Sequence, residues 1–126
     1  WDVRRGVHLG TLEGHTDRVD DLAWSPSGHR LASAAWDTSV RVWDPKKREL
    51  LALLNGHSEC VHAVRFTWDG KGIVSADSEG RVRLWDYAKL KVRAEIAAHT
   101  SAARRLVVRP DGKQVCTGGA DRAIQF

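Results

Sequence analysis

Apolar and polar residues alternate along this chain in short runs, each closed by an interval rich in Gly, Asp, Ser or Lys. Val19–Trp24, Leu31–Ala35, Val40–Asp44 and Glu49–Leu54 form a first group of such runs. A second group is Val61–Phe66, Gly72–Ala76, Arg81–Asp86 and Val92–Ile96. Alternation with period two over so few residues predicts strands, and no helix is expected anywhere. The intervals read as turns. In Ser25-Pro26-Ser27-Gly28 the proline fixes φ and the glycine accepts the positive φ that follows. Thr67–Gly70 occupies the corresponding place in the second group, and Asp77–Gly80 forms the next turn, as Trp36–Ser39 does in the first. A third group, Ala103–Val108, Lys113–Gly118 and Ala123–Phe126, has no fourth strand of its own. Val7, Leu9 and Leu12 suggest that residues 5–12 supply an extra strand at the other end.

These groups repeat. Trp-Asp stands at 1–2, 43–44 and 85–86, and His15, His57 and His99 keep the same interval of 42 residues. Ser33, Ser75 and Thr117 keep it as well. A period of about 40–45 residues with Gly-His early and Trp-Asp late marks a four-stranded propeller blade. Over its whole length the chain resembles the WD-repeat β-propeller family. The resemblance implies an all-β fold with three four-stranded antiparallel blades in one unit, 1–126, with repeats of about 1–42, 43–84 and 85–126.

Three blades are few for a ring usually closed by roughly four to eight. The expectation is therefore a partial propeller completed by oligomerisation through strand exchange, with six blades from two copies or nine from three. Trp1 of one copy would then stand beside Phe126 of its neighbour. The alternative is a piece of a longer propeller. The absence of an initiator Met points to processing or trimming.

The resemblance also assigns a buried His, Ser/Thr, Asp, Trp network to each blade. The sets are His15, Ser33, Asp37, Trp43; His57, Ser75, Glu79, Trp85; and His99, Thr117, Asp121, completed by Trp1. A Ser, a His and an Asp together invite a hydrolase reading. Repetition opposes it, because a nucleophile is needed once whereas a clamp is needed in every blade. Glu79 is a methylene longer than the expected Asp, so the second network is expected to be displaced or broken, and Ala98 replaces the Gly that precedes each of the other two histidines.

Composition narrows the function further. Twenty Lys and Arg against sixteen Asp and Glu give a formal charge of +4, spread over all repeats, which suits solubility better than nucleic-acid targeting. No apolar run approaches a membrane span and no leader is visible, so neither membrane nor secretion is expected. Cys60 and Cys116 fall at non-equivalent positions and read as reduced, compatible with the cytoplasm. The histidines recur at blade intervals rather than metal-ligand intervals, and no phosphate-binding Gly loop is present. No cofactor and no catalytic residue is expected. By resemblance, ligand-contacting rim positions are Arg18, Asp20 and Trp36; Cys60, His62 and Ser78; and Arg104 and Ala120. The function expected is a non-catalytic scaffold that binds another protein or peptide on its rim, and copies of itself. The alternatives are a rim-pocket enzyme and a phosphate or nucleic-acid binder.

Overall fold

A computed structural model describes residues 1–126, with strands β1 (Val19–Trp24), β2 (Leu31–Ala35), β3 (Val40–Asp44), β4 (Glu49–Leu54), β5 (Val61–Phe66), β6 (Gly72–Asp77), β7 (Arg81–Asp86), β8 (Lys91–Ala97), β9 (Ala103–Val108), β10 (Val115–Gly119) and β11 (Ile124–Gln125). They form three antiparallel meanders, β1-β2-β3-β4, β5-β6-β7-β8 and β9-β10-β11. Two blades are thus four-stranded and the third has three strands. No strand forms over residues 5–12, where a single bridge joins Asp2 to Val7. An outer strand takes its backbone partners from the third strand of a blade, and β3 of the first blade is already paired with β4. The Leu9 carbonyl accepts from the Arg48 guanidinium instead.

Side-chain parity decides how the blades stack. Cross-strand partners share a face, so Leu22, Ser33 and Arg41 lie on one side of the first blade, and so do Trp24, Leu31 and Trp43. The opposite side carries Ala23, Ala32, Ala34, Val42 and Ala52. That second side packs onto Val64, Phe66, Ile73 and Trp85 of the next blade in one apolar core. Blade two in turn presents Ala63, Val74 and Ala76 to Ala103 and Leu106 of blade three. Each fully buried Val, Leu or Ile at these joints contributes about 1.5–3 kcal/mol.

The same parity leaves both ends of the stack bare. Leu22 and Trp24 are 55% and 60% exposed, whereas their equivalents in blade two, Val64 and Phe66, are 0% and 6% exposed. At the other end Val107 and Ile124 are exposed, although Val40, the equivalent of Ile124, is fully buried.

Candidate functional site

In the first blade His15 Nδ1 lies 2.7 Å from Asp37 Oδ2, His15 Nε2 lies 2.6 Å from Ser33 Oγ, and Trp43 Nε1 donates to Ser33 Oγ at 2.8 Å. The carboxylate can only accept, so Nδ1 carries the proton, and Nε2 accepts the hydroxyl proton of Ser33. Burial pushes the Asp37 carboxyl up, but donors from Ser39, His15 and the Thr16 and Ser39 backbone outweigh it and hold the pKa at about 2. Gly14 fits here because a Cβ at that position would press on the Trp43 ring and the Arg41 guanidinium.

The second blade departs from the period. His57 Nδ1 meets Asp77 Oδ2 at 2.6 Å, not Glu79, while His57 Nε2 meets Ser75 Oγ at 2.6 Å and Trp85 Nε1 donates to the same oxygen at 2.8 Å. Glu79 faces outward, accepting from Ser58 Oγ at 2.9 Å and pairing with Arg81 at 3.1 Å. The network is therefore displaced by two residues rather than broken. The physical reason is the strand itself: Ser75 and Asp77 sit two apart on β6 and point to the same side. The shift has a consequence for the neighbouring arginine. Arg41 in blade one lies 3.7 Å from Asp37, but its equivalent Arg83 reaches only Glu95, and its buried Nη1 has no acceptor.

The third blade brings together His99, Asp121 and Thr117, with His99 Nδ1 at 3.0 Å from both Asp121 oxygens and Nε2 at 2.9 Å from Thr117 Oγ1. No indole reaches Thr117. Trp1 is 78% exposed and rests on His8. A cleft of about 420 Å³, lined by Ile96, Ala98, Val115, Thr117 and Phe126 among others, stands where an indole lies in the other blades. A Cβ at Gly56 would meet the Trp85 ring at 3.2 Å, so the methyl of Ala98 narrows this cleft at the matching point.

Five of the rim positions join in one network that the sequence did not connect. A bulge at the start of each inner strand, between Val19 and Asp21, between Val61 and Ala63, and opposite Gly118/Gly119, makes Asp20, His62 and Arg104 the extra residues. Bulges re-aim side chains, and here they point them along the rim. Asp20 Oδ2 receives His62 Nδ1 at 2.8 Å across the blade junction and Trp36 Nε1 at 2.8 Å, while Oδ1 receives Arg18 Nε at 2.7 Å. Arg18 also stacks 4.0 Å above the Trp36 ring. Burial raises the Asp20 carboxyl, but these donors outweigh it and bring it down to about 2. Ser78 Oγ lies 2.9 Å from His62 Nε2 and extends the network to a fifth residue. Arg104 and Ala120 are exposed and stand apart from it. Next to this junction Asp21 accepts from the Val64 backbone at 3.0 Å and from Arg65.

Comparison with known proteins agrees with this architecture. The family described as "WD domain, G-beta repeat" matches residues 6–44, 48–86 and 90–126. The chain belongs to the WD-repeat family. Coronin-7 of Pongo abelii is 46% identical over 43 residues, 34% of this chain and 5% of that protein. Guanine nucleotide-binding protein subunit beta-5b of Danio rerio is 40% identical over 43 residues, 34% of this chain and 11% of that protein. A probable cytosolic iron-sulfur protein assembly protein of Chlamydomonas reinhardtii is 54% identical over 35 residues, 28% of this chain and 10% of that protein. Each match thus spans about one WD repeat and a small part of a much longer relative.

Asp20, His62 and Ser78 occur once, in the order of a charge-relay triad, so repetition does not dismiss them as it dismisses the blade networks. Acyl chemistry also needs donors for a developing oxyanion. The backbone N–H groups beside Ser78 are already committed: Ser78 N–H to the Cys60 carbonyl, Glu79 N–H to Asp77 Oδ1 and Gly80 N–H to the Asp77 carbonyl. The set ties two WD repeats together at the rim. No group of three or more His, Cys, Asp or Glu converges as metal ligands, Cys60 and Cys116 are unpaired, and no helix is long and apolar enough to cross a membrane.

Proposed function

We propose that this chain is a non-catalytic protein-interaction scaffold whose bare blade faces are covered by further copies of itself, closing a propeller ring. WD-repeat relatives support the scaffold role, and the exposed end faces support self-assembly. The observation that carries the reading is that Leu22 and Trp24 are exposed at one end while Val64 and Phe66, at the same repeat positions, are buried by the preceding blade. At the other end Ile124 is exposed although Val40, at the same repeat position, is fully buried within the stack, and Val107 is exposed beside it. Contiguous apolar faces of this kind mark interaction surfaces. A head-to-tail contact between the two ends repeats the internal blade joint and closes with cyclic symmetry, giving six blades from two copies or nine from three.

In this reading the first residues of one copy cross to the third blade of the next. Trp1 enters the cleft beside Thr117 and Phe126, donating to Thr117 Oγ1 as Trp85 donates to Ser75. The rim around Arg18 and Trp36 takes a second protein or peptide, Trp and Arg being the side chains most enriched at interface hot spots. The scattered basic residues favour neither nucleic acid nor membrane as partner. Unpaired cysteines suit a cytoplasmic location.

Trp24→Glu tests the assembly. It should convert assembled protein to single chains without loss of β-sheet circular dichroism, and an unchanged assembled mass would contradict the reading. A second reading is favoured by the length of the relatives, of which each match covers only 5–11%. In it, further blades of a longer chain cover both faces and the isolated segment stays monomeric.

A further inference from the structure

We infer that the junction between copies is set by Arg104 of one copy against Asp20 of the next, with Pro110 seated over Gly28 of that same second copy. The inference rests on the self-assembly reading above and specifies its interface. The first internal junction supplies the template on this rim. Positions 20, 62 and 104 are the bulged residues of successive inner strands, and at the first junction residue 20 meets residue 62 at 2.8 Å. Continuing that series past the third blade sets Arg104 against the Asp20 of a second copy, a cation facing a carboxylate. Arg104 is exposed, and its backbone carbonyl accepts from the Arg105 guanidinium. Asp20 accepts three hydrogen bonds, two at Oδ2 and one at Oδ1. A carboxylate has about four acceptor sites, which leaves room at Oδ1 for one more donor.

The opposite rim gives an independent series. In the hairpins after each inner strand, residue 26, 68 or 110 of one blade leans on the glycine at 70, 112 or, past the end, 28. A Cβ on Gly70 would meet Pro26 Cδ at 3.6 Å, and one on Gly112 would run into the Trp68 ring. A Cβ on Gly28 would meet nothing within 4 Å, and Pro110 is exposed. Gly118 is likewise open on the bare face of blade three, although its equivalents Ala34 and Ala76 are fully buried. The two ends thus carry matching halves of a blade joint: opposite charge on one rim, proline against open glycine on the other, and apolar sheet between.

Sedimentation equilibrium of the full chain over a dilution series tests this, with near-ultraviolet circular dichroism as the check that each variant is folded. Arg104→Glu should raise the dissociation constant about tenfold or more by setting like charges together, whereas Arg104→Lys should change it by about threefold or less. Pro110→Glu should weaken association by about tenfold by burying a carboxylate on the opposite rim. A wild-type chain that assembles while folded Arg104→Glu and Pro110→Glu assemble equally well would overturn this junction and leave self-assembly standing. A monomeric wild-type chain would overturn both.

Discussion

His57 bonds to Asp77 at 2.6 Å, with both side chains fully buried, although the 42-residue period points to Glu79. Asp77 also accepts from the backbone N–H of Glu79 and of Arg81, each at 3.0 Å, so one carboxylate anchors the imidazole and the hairpin together. Burial raises this carboxyl, and His57 with the two backbone donors brings it below the usual aspartate range. The Glu79 side chain does none of this and is about two-fifths exposed.

Replacement of Asp77 by Ala is therefore expected to cost about 3 kcal/mol, since it leaves a buried imidazole N–H and two backbone N–H groups without acceptors. Glu79→Ala should cost about 0.5 kcal/mol or less, as an exposed ion pair does. Asp37→Ala should fall near Asp77→Ala. Urea unfolding at one fixed protein concentration measures all three, and equal losses for Asp77→Ala and Glu79→Ala would refute the assignment.

Acid should weaken the fold in a defined window. Asp20 and Asp37 are each lowered from 3.8 to about 2, so each is deprotonated more readily folded than unfolded. Their contribution is complete above pH 3.8 and is lost as the pH falls towards 2, about 2 kcal/mol for each carboxylate. In Asp37→Asn the stability difference between pH 5 and pH 2.5 should shrink by about half that amount or more. An unaltered acid limb in urea titrations would contradict the network geometry.

The strands and their turns were legible from alternation and turn chemistry, and β1, β5 and β7 run as expected. The first His network, and His99, Thr117 and Asp121 of the third, stand at the positions that the family resemblance assigns, whereas Trp1 does not join the third. The second network was not legible, because counting by 42 cannot register a two-residue slide along one strand; the signal was that Asp77 shares the side-chain parity of Ser75. The rim network escaped because it depends on bulges, which shift the register of paired strands and leave no mark in the hydrophobic pattern. The strand expected over residues 5–12 depends on an unpaired edge beside it, which is a property of tertiary structure.

One strained position offers a gain in stability. Thr38, Gly80 and Arg122 occupy the same hairpin position with φ of 66°, 79° and 68°, but only one of them is glycine. A β-branched residue is poorly suited to this left-handed conformation, whereas Asn tolerates it. Thr38→Asn should stabilise the chain by about 0.5 kcal/mol, read as a rise in melting temperature. A fall of similar size would show that the Thr38 side chain makes a compensating contact.

The claim that this chain's two open blade faces meet each other is tested most directly by multi-angle light scattering of the wild-type protein. At micromolar concentration the mass should be two or three times 14.0 kDa, the ratio giving six or nine blades. A monodisperse, folded species of 14.0 kDa would contradict it.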